Sequence, residues 1–189
     1  MKFTINSILL LSVFILVGCC KEKEPAIPYF DIVIYWEGLQ EDGSAEADIF
    51  DKNWKASAYI FPHPSEPNYF SLIYETYSPD GLLREQILMG SLSKKAGKYK
   101  VISDFSTDIL DDDMVNGVYS SFIDDGDVLY GGYQINKDND NELFVDNVDT
   151  INHIMEGRFN LMFDLDEADY DKDLARKVLF ENGKFSVKI

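Results

Sequence analysis

The chain has 189 residues, a net charge of −17, 46% apolar residues and 14% aromatics. A charge of that sign and size excludes binding to nucleic acid or anionic lipid by electrostatic attraction. The apolar content excludes a disordered acidic tail, and the length suits one domain with a core of its own.

Met1-Lys2 gives a positive start, and Ile8 to Val17 is apolar apart from Ser12. That run has the length of a signal-peptide core and falls well short of the roughly 20 residues needed to cross a bilayer. It ends in Leu16-Val17-Gly18-Cys19, which resembles the bacterial lipoprotein signal. The resemblance implies cleavage before Cys19, a diacylglyceryl thioether on its sulfur and usually a third acyl chain on the new amine. Cys20 is the rival acceptor, but Val17-Gly18-Cys19 in front of it matches the signal less well. Two or more acyl chains hold a protein stably to a membrane without a spanning helix. Residues 1–18 are therefore expected to be a signal peptide and residues 19–28 a lipidated tether, polar at Lys21-Glu22-Lys23-Glu24 and stiffened by Pro25 and Pro28. The Lys/Glu segment after the cysteine also looks like the export signal of surface lipoproteins in Bacteroidetes. The expected location is the bacterial outer membrane, with the cell surface and the periplasmic face both open. Cys19 and Cys20 are the only cysteines, so no disulfide staples the domain.

From Tyr29 onward, short apolar runs alternate with turn residues and helical periodicity is almost absent. Ile32, Ile34 and Trp36 alternate with Val33 and Tyr35 as a strand; Gln40 to Ala47 reads as a polar loop around Gly43. Trp54, Ala56, Ala58 and Ile60 mark one face of the next strand, and the prolines at 62, 64 and 67 make Phe61 to Asn68 a connection. Phe70, Leu72 and Tyr74 open a strand that turns at Ser78-Pro79-Asp80-Gly81 and returns over Leu82 to Met89. Lys98 to Ile102 is a strand, and residues 103–116 form an acidic loop centred on Asp111-Asp112-Asp113. Val118 to Ile123 and Val128 to Ile135 flank the hairpin signal Asp124-Asp125-Gly126-Asp127, with Gly131-Gly132 suggesting a bulge or a close approach. A polar turn at Asn136 to Asn141 leads to a strand at Leu143 to Val148.

Phe159, Leu161, Phe163 and Leu165 share one face of a long strand, followed by a charged loop at Asp166 to Asp173 and a turn of helix at Leu174 to Arg176. Val178 and Phe180, then Asn182-Gly183, then Phe185, Val187 and Ile189 read as a closing hairpin. The fold class is all-β: a single-domain antiparallel β-sandwich of about ten strands over residues 29–189, with an up-and-down β-barrel as the alternative.

Glu142-Leu143-Phe144-Val145, Ile154-Met155-Glu156-Gly157-Arg158-Phe159 and Glu181-Asn182-Gly183-Lys184-Phe185 carry a further resemblance. With the lipoprotein signal they are similar to a group of Bacteroidetes lipoproteins of unknown function, whose C-terminal halves run strand, I-x-x-G-x-F strand and closing N-G-x-F hairpin. The resemblance covers roughly residues 97–189 and implies a lipid-anchored all-β domain without an activity to transfer.

Candidate chemistry is sparse. Asp169-x-Asp171-x-Asp173, with Asp164 and Asp166 nearby, has the start of a calcium-binding loop, but Leu174 stands where glycine is needed and Phe180 where a bidentate glutamate is needed. Asp138-Asn139-Asp140-Asn141-Glu142 lacks the turn glycine as well, so both stretches read as solvated acidic loops, with weak Ca²⁺ binding as the alternative. His63 sits between prolines and His153 at a strand start, which leaves a zinc site short of ligands. No Gly-x-Ser-x-Gly elbow or phosphate-binding loop occurs, and paired carboxylates are unavoidable in so acidic a chain. Tyr29, Phe30, Tyr35, Trp36, Tyr59, Phe61, Tyr69, Phe70, Tyr74 and Tyr77 crowd the N-terminal half, and the proline loop beside Trp54 and Tyr69 is the first place to seek an aromatic binding surface. No catalytic, cofactor or metal residue is assigned; Cys19 is the one site residue, for lipid attachment. The function expected is a non-catalytic envelope module, held to the membrane by its acyl chains, that binds a protein or glycan. A small envelope hydrolase using scattered Asp/Glu or His153, and an adhesion or assembly subunit pairing strand edges, are the alternatives.

Overall fold

A computed structural model describes residues 42–63, 66–103, 113–124, 126–168 and 174–189. The signal peptide, Cys19, the tether, the strand expected at Ile32 to Trp36 and the acidic runs at 111–112 and 169–173 lie outside the described residues. Ten strands are present: β1 (Gly43–Ile49), β2 (Lys52–Pro62), β3 (Tyr69–Tyr77), β4 (Leu83–Ser93), β5 (Gly97–Ile102), β6 (Met114–Ile123), β7 (Val128–Ile135), β8 (Glu142–Asp149), β9 (Ile154–Ala168) and β10 (Lys177–Lys188). No helix occurs among the described residues; Leu174 to Arg176, where a helical turn was expected, is a bend before β10.

The fold is all-β, and of the two architectures open from sequence the pairing yields the barrel. Neighbours run β10-β1-β2-β3-β4-β6-β5-β8-β9, and β9 pairs again with β10 to close a nine-stranded ring. β7 is the extra strand. On the side of β6 away from β4, β5 pairs with Met114 to Asn116 and β7 with Val118 to Ile123. β9 is shared in the same way, by β8 up to Asn160 and by β7 from Phe163 onward. The β5–β6 pair is parallel, so the connection is not purely up-and-down.

Each strand follows the period-2 rule: alternate side chains point into the barrel. β1 is the element the sequence hid. Ala45, Ala47 and Ile49 face inward and Glu46 and Asp48 outward, so the stretch read partly as a polar loop is a full strand between β2 and β10. Alanine and acidic residues are weak strand formers, and pairing on both sides overrides that preference. β2 also runs further than expected, through Phe61 and Pro62. The Ser78 to Gly81 turn forms as read, with Gly81 at φ 85° and its N–H donating to the Ser78 carbonyl at 2.8 Å.

The closing hairpin is the main correction. Asn182-Gly183 lies inside the single strand β10, where the registers with both β9 and β1 slip. Asn182 takes the left-handed φ of 53° that the pair favours, but it uses it for a β-bulge. Both halves of β10 pair with β9, and β1 pairs on either side of the bulge, at Glu181 and from Lys184 to Val187, so the chain does not fold back on itself. Asn182 is held on both sides: its N–H donates to Asn160 Oδ1 and its Nδ2 to Asp48 Oδ2, each at 3.0 Å. Gly183 faces inward, where a Cβ would overlap the Phe159 ring.

Inside, small residues on β1 and β2 leave volume for rings from the other strands. Phe180 meets Trp54 (5.1 Å, 79°) and Tyr119 (5.4 Å, 73°) edge-on, while Tyr74 stacks on Phe159 at 5.1 Å. The Tyr74 hydroxyl is buried without a hydrogen-bond partner among the described residues. Tyr74→Phe keeps the stack and removes the orphan, so it is expected to raise stability by about 1 kcal/mol in urea denaturation; a loss of that size would show that the hydroxyl is bonded.

Candidate functional site

Cross-strand register brings together side chains far apart in sequence. On the outer wall Lys55 (β2) lies opposite Glu46 (β1), Glu46 opposite Lys184 (β10), Lys184 opposite Arg158 (β9), Arg158 opposite Phe144 (β8) and Phe144 opposite Lys98 (β5). One row of four cations thus crosses six strands of a strongly acidic protein. An open groove of about 870 Å³ runs over its β2–β1–β10–β9 part, with Glu156 and Asp146 on its walls and Gly43 and Gly157 in its lining.

The charges in the groove are of two kinds. Arg158 gives two hydrogen bonds to Asp146, Nε to Oδ2 at 2.8 Å and Nη2 to Oδ1 at 2.9 Å, and its guanidinium lies 5.0 Å from the Phe144 centroid. Those bonds hold the Asp146 carboxyl below its ordinary value. Lys98 reaches the other end of the row, 5.5 Å from the Phe144 centroid and paired with Glu142. Among the described residues, Lys55, Lys184, Glu46 and Glu156 form no ion pair. Four charges without an ion-pair partner, two of each sign, therefore line the groove. Ser44 and Ser186 add hydroxyls to the charged lining, so the groove offers hydrogen-bond donors and acceptors of both signs.

The second polar cluster is inside the barrel. Glu85 is 5% exposed, and three neutral donors reach it: Trp54 Nε1 at 2.9 Å and Thr76 Oγ1 at 3.0 Å to Oε2, and the Tyr119 hydroxyl at 3.0 Å to Oε1. Burial pushes its carboxyl up to about 7, against the opposing pull of those bonds. Burial and then the nearby Glu85 charge push the Tyr133 hydroxyl up to about 12. A perturbed carboxylate is a common mark of an active site. This one is buried among rings and accepts three hydrogen bonds, which tie β2, β3 and β6 to β4.

No family model, curated protein or solved structure matches this chain.

The structure redistributes the residues singled out from sequence. Trp54 is a core residue bonded to Glu85, so it does not contribute to an aromatic surface beside the proline loop. Phe70 and Tyr74 are core as well, Tyr77 bonds Glu75 on the outer wall, and Phe61 is 59% exposed. His153 occupies a left-handed position (φ 57°) in the β8–β9 turn, where its carbonyl accepts from Ile189 N–H at 2.9 Å. His63 follows β2, its N–H donating to the Tyr69 carbonyl at 3.1 Å. Asp164 accepts from Asn136 Nδ2, and Asp166 from Gln134 Nε2, both at 2.6 Å. Buried Asn141 bonds the carbonyls of Asn136 and Asn139 and accepts from Met162 N–H, pinning the β7–β8 turn to β9. Among the described residues, no three His, Cys, Asp or Glu side chains converge to hold a metal.

Proposed function

We propose that this protein is a lipid-anchored component of the bacterial cell envelope, tied to the outer membrane through Cys19, whose barrel is a non-catalytic binding module for a protein or glycan. The observation that carries the binding role is the outer groove with Lys55, Lys184, Glu46 and Glu156 left uncommitted along it. Charged side chains of both signs beside the Ser44 and Ser186 hydroxyls can meet a polar ligand through several hydrogen bonds at once. The anchor is supported by Leu16-Val17-Gly18-Cys19 after a short apolar run.

Two measurements test the parts separately. Labelled palmitate is expected to enter the wild-type protein and not Cys19→Ala; equal incorporation in both removes the envelope assignment. A pull-down from envelope extracts is expected to retain species that bind Lys55→Glu/Lys184→Glu about tenfold more weakly, since each exposed charge contact contributes up to about 1 kcal/mol. Undiminished retention by the double variant would exclude the groove as the binding site.

A further inference from the structure

The wall of the barrel across β2, β3, β4 and β6 differs from the charged wall. There Tyr59 lies opposite Ile73, Ile73 opposite Leu88 and Leu88 opposite Val118, all four pointing outward because Ala58, Leu72, Ile87 and Tyr119 beside them face the core. An apolar stripe four strands wide thus lies on the outside of a protein with a net charge of −17. Ile73 is nevertheless only 7% exposed, and Ser57, outward-facing in the adjoining row, 2%. The row beside the stripe is polar, with Glu75 accepting from Gln86 Nε2 at 2.6 Å and from the Tyr77 hydroxyl.

We propose that the segment Tyr29 to Trp36 of this chain lies across that stripe. The point where the described chain begins is the first argument. The Asp42 carbonyl accepts from Lys188 N–H at 2.7 Å, which holds it at the head of β1. Counting back from Ser44 opposite Ser57 brings Asp42 level with Tyr59, the first member of the stripe. Reach is the second. Residues 37–41 span at most about 18 Å at 3.3–3.6 Å per residue, and Tyr59 at the near edge of the stripe lies one strand gap, about 5 Å, from Asp42. Chemistry is the third: Ile32, Ile34 and Trp36 recur at every second position and need an apolar surface, and the stripe supplies one. A second copy of the chain is disfavoured as occupant, since two bodies of such charge repel. The inference is independent of the proposed binding role, because the stripe and the groove occupy different walls.

Trp36 and Trp54 are the only tryptophans, so the full chain carries its own probe. The emission lost in Trp36→Phe is expected to be blue-shifted and several-fold less quenched by acrylamide than that of a tryptophan peptide. Ile73→Lys is expected to red-shift that emission and raise its quenching towards the peptide value. The double variant Trp36→Phe/Ile73→Lys reports whether Trp54 stays shielded, and hence whether the barrel is intact; if it is not, Leu88→Lys replaces Ile73→Lys at the same stripe. Free quenching of Trp36 in the wild-type chain would overturn the proposal. So would shielding that disappears on dilution, which would make a second copy the cover, or shielding unchanged by both lysine variants.

Discussion

Glu85→Ala is expected to lower the unfolding free energy by about 4 kcal/mol at pH 7, enough to unfold much of the chain if its stability is that of an ordinary domain. The carboxylate is the common acceptor of Trp54 Nε1, Thr76 Oγ1 and the Tyr119 hydroxyl, which come from three different strands. Removing it strands three buried donors, each costing roughly 1–3 kcal/mol, and opens a cavity among rings that meet at fixed angles. The gain from no longer burying a partly ionised group offsets only part of this. Glu85→Gln separates the effects. Its carbonyl oxygen takes over the bonds from Trp54 and Thr76, its amide faces the Tyr119 oxygen, and its stability is expected to stay within about 1 kcal/mol of wild type. Urea denaturation of both variants decides the matter, and an equal loss in the two would show that the acceptor role of Glu85 is unimportant.

That glutamate was legible in the sequence and went unread. Ile87 and Met89 face inward, and stepping back two residues on the same face reaches Glu85. Flanked by Arg84 and Gln86, it resembles an ordinary wet stretch, and nothing local announces the donors, which lie 31, 9 and 34 residues away. Local alternation did reveal the strands rich in large side chains, such as those of Trp54, Phe70 and Phe159. It failed where the inward residues were Ala45 and Ala47, and where Asn182-Gly183 kept its preferred backbone but used it for a bulge. Turn chemistry fixes dihedral angles at two residues; whether the chain then reverses depends on what the flanking strands pair with. The groove was beyond reach for a different reason. Positions 55, 46, 184 and 158 become neighbours only through three inter-strand registers, two of which, those of β10 with β1 and with β9, are displaced by that bulge.

The barrel gives its two walls different chemistry from the same alternation. Every strand turns one face inward, so the outer faces are free to vary. β1, β10 and β9 carry Glu46, Lys184 and Arg158 there, while β2, β3, β4 and β6 carry Tyr59, Ile73, Leu88 and Val118. Closure of the sheet makes this division possible, since pairing all round the described strands gives the barrel an outer surface made of side chains.

The second large effect expected is an inverted pH dependence of stability. The Glu85 carboxyl has an ordinary value of 4.5 and is pushed up to about 7 in the folded protein, mainly by burial. Between those values the folded state binds the proton and the unfolded state has released it, so folding takes up a proton and stability falls as pH rises. The contribution is fully present below about 4.5 and is lost as pH passes through 7, a change of about 3 kcal/mol. Surface carboxylates act in the opposite sense: hydrogen bonds from Ser78, Arg158 and Asn152 hold Asp80, Asp146 and Asp149 below their ordinary values, and their contribution is lost as pH falls. The groups facing Glu85 inside the barrel are Trp54, Thr76, Tyr119 and Tyr133, and burial, before any charge effect, pushes both tyrosines upward, so none of them ionises near neutrality. Subtracting Glu85→Gln removes the surface contribution, which both proteins share. From pH 5 to pH 8 the wild type is expected to lose about 2.5 kcal/mol relative to that variant in urea denaturation. Parallel curves for the two proteins would mean that the buried carboxyl titrates at its ordinary value, and that the three donors balance the burial opposing them.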